Sequence, residues 1–203
     1  MKNNIKQILI LIMIGIMGFS TLTYAQNSYK LVSSPDVSIK VLGSSNVHDW
    51  VMTSSAMESQ GEFTFEGGAI TALHAFKFSL AFTSLKSEHN SMDNRTYKSV
   101  NAKKYPAISY KLTSAQVTTT EKNKYLVKTK GELTIAGVTQ PIIMDVTALI
   151  NSDKTITCTG SEKIKLTDYS IKPPSFMLGT MKVANDLTIE FNLVYKNQTS
   201  LTK

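Results

Sequence analysis

The chain has 203 residues, a formal net charge of +7 from 22 Lys and Arg against 15 Asp and Glu, and one cysteine. A lone cysteine excludes an internal disulfide framework, so stability has to come from a core, and the length suits one domain with a substantial one. The basic surplus is spread over many segments rather than gathered in one, which excludes a nucleic-acid patch and fits a solvated face or a mild attraction to an anionic lipid surface.

Residues 1–25 read as a secretory signal peptide. Lys2 and Lys6 form a positive start, Ile8 to Phe19 is uncharged and apolar, and Thr23-Tyr24-Ala25 puts small residues before a cut at Gln26. A retained membrane anchor is the alternative. However, Ser20, Thr21 and Thr23 interrupt the run short of the roughly 20 apolar residues a span needs. No cysteine follows the run to carry a lipid anchor. The expectation is a periplasmic domain over residues 26–203.

From Val37 onward apolar residues fall on alternate positions, the period of a strand with one buried face. Val37, Ile39 and Val41 open the first strand, which Gly43-Ser44-Ser45-Asn46 interrupts. A second strand is expected from Val51 to Ser59, and Glu62 to Glu66 continues beyond Gly61 with Phe63 and Phe65 on one face. Gly67-Gly68 marks a tight turn. Phe76, Phe78, Leu80 and Phe82 then alternate with Lys77, Ser79 and Ala81.

Ser87 to Asn101 breaks the alternation. It is polar, with Met92, Tyr97 and Val100 as its larger apolar residues, and predicts one short helix that ends before Pro106. Asp93-Asn94-Arg95 reads as its solvated face, or as a lid on which Arg95 meets an anionic group.

Alternation resumes with Ile108, Tyr110 and Leu112, then Tyr125, Val127, Leu133 and Ile135, with Gly131 in phase as a bend or bulge. Ala136 to Pro141 is expected as a turn. Ile142, Met144, Val146 and Ala148 follow, then Ile156, Cys158, Ile164 and Leu166. Cys158, in phase with Ile156, reads as a small buried hydrophobe. Thr167 to Lys182 is expected as a loop, and Asn185 to Lys196 as the last strand, carrying Leu187, Ile189, Phe191, Leu193 and Tyr195. About eight strands and one helix predict an all-β domain: an eight-stranded antiparallel lipocalin-like barrel with the helix over one end.

Chemistry has little support. His48, His74 and His89 are not at metal-ligand spacing, and neither a nucleophile elbow nor a phosphate-binding glycine loop is present. No metal site, cofactor or catalysis is expected. His48-Asp49-Trp50 is the densest cluster. It either satisfies a strand bend and plugs the barrel end or borders a ligand mouth. Phe63, Phe65, Phe76, Phe78 and Phe82 are core residues unless the barrel is hollow, when they line it.

Several motifs in order carry a resemblance: His48-Asp49-Trp50, then Gly61 to Gly67, Ser84-Leu85-Lys86-Ser87, Lys104-Tyr105-Pro106-Ala107-Ile108-Ser109-Tyr110, and Gly131-Glu132-Leu133-Thr134-Ile135-Ala136-Gly137-Val138-Thr139-Gln140-Pro141. From about Val37 to Tyr195 the chain resembles the YceI-like family of periplasmic lipid-binding proteins. The resemblance implies a lipocalin-like barrel holding an isoprenoid or other long-chain lipid. Phe76, Phe78, Tyr110, Leu133 and Ile135 would line the tunnel together with Leu80. His48 would stand near a polar mouth, and Arg95 and Tyr97 on the helical cap. The chain departs from the family pattern at Asp49, over Asp93 to Lys98, and at Lys165 to Ile171, so a long apolar chain is implied more firmly than any head group. A carrier without catalysis, in transient contact with a membrane or membrane protein, is the first reading. The others are a filled interaction or stress-response module and an enzyme using His48 on a lipid. Oligomeric state stays open.

Overall fold

The computed structural model describes residues 27–198, except for the side chain of Met177. The signal segment expected at residues 1–25 lies outside the described residues. Eleven strands follow in order: β1 Asn27–Leu31, β2 Ser38–Ser45, β3 Asp49–Ser54, β4 Glu58–Glu66, β5 Ala69–Ala81, β6 Ala107–Glu121, β7 Lys124–Ile135, β8 Val138–Ile150, β9 Ile156–Lys165, β10 Ser175–Phe176 and β11 Met181–Asn197. The helix α1, Asn90–Ser99, lies between β5 and β6.

Every pairing is antiparallel, and β1-β4-β5-β6-β7-β8-β9-β11 closes into a ring of eight strands, because β11 returns to β1 at Tyr195↔Leu31. Each strand of the ring is thereby paired on both sides over at least part of its length. The strand count exceeds eight for physical reasons. The long β11 carries β2 along Val183 to Asn192 and β1 along Tyr195 to Asn197 on the same edge, so β1 and β2 form one wall interrupted at Pro35. The expected strand Val51 to Ser59 is broken between β3 and β4. Just before the break, Thr53 of β3 and Lys86 exchange backbone hydrogen bonds of 2.8 and 2.9 Å. β10 is a two-residue arm on β11, within the segment expected to be loop throughout.

Local chemistry sets the remaining features. Gly67 and Gly68 both take positive φ in the β4–β5 turn. Ala136 and Gly137 do so between Ile135 and Val138, a two-residue hairpin loop whose twist suits antiparallel strands. The turn expected from Ala136 to Pro141 is thus shorter, and Pro141 lies within β8, opposite Glu132. A proline is tolerated there because β9 pairs with β8 only over Val146 to Ile150. The bulge expected at Gly131 lies instead on the partner strand, between Leu112 and Ser114. The helix, shorter than Ser87 to Asn101, ends where Asn101 turns to φ 51°.

Candidate functional site

Inward-facing side chains fill the ring unequally along its axis. Where β1, β4 and β11 meet, aromatic rings close it. Tyr29 stands edge-on to Phe63 at 5.4 Å, and Phe76 to Tyr195 at 5.8 Å. Tyr195 is fully buried, with its hydroxyl 2.9 Å from Ser59 Oγ, which donates to Lys77 O at 2.8 Å. Burial drives the Tyr195 phenol well above its ordinary pKa, so it stays a neutral donor.

Away from this plug the filling stops. An inner chamber of about 110 Å³ exposes only apolar atoms and is walled by Phe63, Phe76, Phe78, Leu80, Tyr110 and Leu133, with Ile142, Met144, Val146, Cys158 and Glu162 opposite. An outer chamber of about 240 Å³ lies under α1. His48, Trp50, Met52, Met92, Arg95, Ile135, Tyr169, Phe176 and Leu187 bound it. Val41, Ile108 and Ile189 line both chambers, so the two spaces adjoin. Several inward residues, among them Val41, Phe76, Ile142, Met144, Val146, Ile189 and Phe191, are only half-buried. They face empty space, whereas Tyr125, Ile156 and Tyr195 near the plug are buried. An apolar wall without a partner forfeits dispersion contacts, which a ligand of matching shape restores.

The predicted site residues divide accordingly. Phe63, Phe76, Phe78, Leu80, Tyr110 and Leu133 meet on the inner chamber, and Ile135, His48, Trp50 and Arg95 on the outer. Phe65 is on neither. Strand β5 is irregular opposite Phe63 and Phe65, and Phe65 packs on Tyr29 at 5.6 Å, beyond the plug. Tyr97 also misses the chambers. Its hydroxyl donates to Leu85 O at 2.6 Å, and Lys86 Nζ sits 5.2 Å from its ring centre, so it pins α1 to the turn before it. Asp93, expected on a solvated face, is only 2% exposed. Its Oδ1 accepts from Ser87 N at 2.8 Å and Ser87 Oγ at 2.7 Å, and Lys86 Nζ lies 3.7 Å from Oδ2. Burial pulls the Asp93 pKa upward, but the Ser87 bonds and Lys86 together hold it below the ordinary value.

His48, Trp50 and Arg95 bring polar atoms to the lining of the outer chamber. His48 is exposed, and its Nδ1 meets the backbone carbonyl of Asp49 at 2.8 Å, not a carboxylate. Arg95 stacks its guanidinium 4.7 Å from the Phe176 ring centre and remains exposed. Trp50 lies over Gly43, and its buried Nε1 makes no hydrogen bond among the described residues. Cys158 is buried on the inner wall, and its thiol is pushed up to about 12 by burial. Among the described residues Glu162 is the one acidic group on the inner chamber. Its carboxyl is raised by burial first and by Asp145 second. Among the described residues no three His, Cys, Asp or Glu converge to hold a metal, and no helix is long and apolar enough to cross a membrane.

Sequence reasoning missed the roof of the outer chamber. Tyr169, Ile171, Phe176 and Met181 come from the segment read as loop and Leu166 from the strand end before it; a 3₁₀ turn at Leu166–Tyr169 and the β10 arm shape this stretch. The signal was the apolar content of that loop, with Tyr169 and Ile171 buried. Burial, then Asp168, raises Tyr169 to about 12.

A closed antiparallel ring with a hollow apolar interior and a helix at one end defines a lipocalin-like class of fold. A family model described as the YceI-like domain matches residues 33–195, and the chain belongs to that family. BcnA of Burkholderia cenocepacia shares the fold with a TM-score of 0.64 at 19% identity, over 78% of this chain and 95% of that one. A Saccharophagus degradans domain, described as polyisoprenoid-binding and implicated in plant cell wall breakdown, gives 0.64 at 13% identity, over 85% and 99%. A variant of the Campylobacter jejuni YceI protein holding a monobromobimane guest gives 0.51 at 20% identity, over 69% and 81%. No curated protein matches the chain.

Proposed function

We propose that this protein binds and carries a long-chain amphiphile, with its chain in the two adjoining chambers and its polar end toward His48, Trp50 and Arg95. The observation that carries this reading is the row of inward apolar residues left half-buried along β8 and β11. Each methylene removed from water contributes about 0.8 kcal/mol, so a chain of modest length outweighs its ordering cost. Taken as one space, the chambers reach the lower part of the ~300–1,000 Å³ typical of ligand sites. The inner chamber exposes no polar atom, so recognition of a head group falls to the outer one. The Saccharophagus domain described as polyisoprenoid-binding supports an isoprenoid among the candidates. The pattern of residues 1–25 supports export and action in the periplasm. Neither a metal nor a cofactor enters the account, and the ligand leaves chemically unchanged.

Trp50 is the sole tryptophan and stands on the outer wall, so its emission reports occupancy directly. Titration with farnesol and with a C16 fatty acid should shift that emission saturably. No change with either, nor with a longer prenyl alcohol, contradicts the reading.

A further inference from the structure

Two hairpin tips flank the outer chamber, and each carries an apolar side chain into solvent. The β2–β3 tip presents Val47, 62% exposed, and the β10–β11 tip presents Leu178, fully exposed. Asn46 ties the tips together. Its Nδ2 donates to Thr180 O at 2.8 Å, and its Oδ1 accepts from Lys182 N at 2.7 Å. Ser45, His48, Phe176 and Met181, next to these tips, line the chamber itself.

Leu178 is unfavourable twice over. Its φ is 54°, a backbone region that glycine or asparagine occupies with less strain, and its whole side chain meets water. Gly179 follows at φ 89°, so the tip has the geometry of a turn that leucine does nothing to stabilise. A leucine in such a place is explained when its surroundings are apolar in use. The cations nearby are exposed as well: Lys182 beside Asn46, Lys172 on the approach to β10, and Arg95 over Phe176.

We infer that this end of the ring docks on an anionic lipid bilayer, with Leu178 and Val47 inserted at the interface and Arg95, Lys172 and Lys182 against the head groups. The inference rests on the carrier reading and deepens it. Docking at the mouth lets the apolar chain pass between bilayer and chamber without crossing water. Interfacial insertion gains from buried apolar area and from attraction to anionic lipid together, and the second part weakens as salt screens it.

The test uses protein purified from its native host and sucrose-loaded vesicles of phosphatidylglycerol and phosphatidylethanolamine. The wild-type protein should sediment with them, and less so with phosphatidylcholine alone or at high salt. Leu178→Gly combined with Val47→Ser should weaken sedimentation about tenfold or more, the scale of exposing two buried apolar side chains. Leu178→Gly alone should unfold at no lower temperature than wild type, because glycine accepts that φ. The double variant should keep the wild-type Trp50 titration, since neither residue lines a chamber. Undiminished sedimentation of the double variant overturns the docking surface. So does a wild type that ignores vesicles yet dimerises through these tips. A wild-type protein that fails the Trp50 titration overturns the carrier reading instead, so the two failures are distinguishable.

Discussion

Tyr110 lies across Gly131 on the neighbouring strand, so closely that a Cβ at residue 131 would stand 2.3 Å from the Tyr110 hydroxyl oxygen. The glycine is therefore a space for a ring. Tyr110 faces Leu133 in register and reaches diagonally to Gly131, which keeps its bulk against the wall and off the chamber axis. Its hydroxyl is buried without a hydrogen bond among the described residues, and burial raises its pKa.

Gly131→Ala should push the Tyr110 ring inward. Overpacking of this kind costs about 1–3 kcal/mol, and the displaced ring takes volume from the inner chamber. Chemical denaturation should show the loss of stability, and Trp50 titration a weaker affinity for long chains than for short ones.

Ile189 stands where the chambers adjoin and is half-buried because it faces their space. Ile189→Trp should obstruct the passage while the ring still closes. Far-ultraviolet circular dichroism should stay β-rich, and co-purified or added long-chain lipid should fall to near background. Full retention of a C16 chain in a folded Ile189→Trp protein would mean that the two chambers do not serve one ligand.

Asp93 fastens α1 to the segment before it. Asp93→Ala orphans the Ser87 N–H, while the Ser87 hydroxyl keeps His89 O at 3.0 Å as acceptor, and should cost about 1–3 kcal/mol near neutral pH. The folded-state pKa is held below the ordinary carboxylate value of 3.8, so the carboxylate's stabilisation is present above that value and is lost as pH falls through the depressed one. Thermal unfolding of wild type and variant should accordingly differ most near neutrality and converge in strong acid.

The Cys158 thiol, raised to about 12 and buried, carries negligible thiolate near neutrality. A small thiol reagent should leave the native protein unlabelled and react fully once denaturant opens the ring. Rapid labelling of the native state would show an inner chamber open to water.

Periodicity made the ring legible before its geometry was known. Where apolar residues strictly alternate, as over Phe76 to Phe82 or Leu187 to Tyr195, a strand and its inward face follow directly. The β1 strand escaped notice because five residues with Tyr29 and Leu31 as their apolar pair give too weak a pattern, and closure of the ring depends on it. Strand phase puts Phe65 on one face with Phe63, and Tyr97 stands among the larger apolar residues of the predicted helix. An irregular partner strand and a hydrogen bond to Leu85 placed them elsewhere, and neither effect leaves a local trace in sequence. Asp93 looks like any helix-surface acid until the fold brings Ser87 and Lys86 around it. The outer chamber's roof came from residues with no strand period, so only the three-dimensional return of Tyr169, Phe176 and Met181 to the space that α1 also lines shows it. Hollowness itself is a matter of how well side chains fill space, which alternation does not encode.

The central claim is that the two chambers hold a long apolar chain. Native mass spectrometry of protein purified from its own host, followed by organic extraction, tests it most directly. The account predicts a discrete added mass that leaves with the organic phase as a long-chain amphiphile and is absent from the Ile189→Trp variant. A single apo mass under gentle conditions, unchanged after incubation with prenyl alcohols and fatty acids, would contradict it.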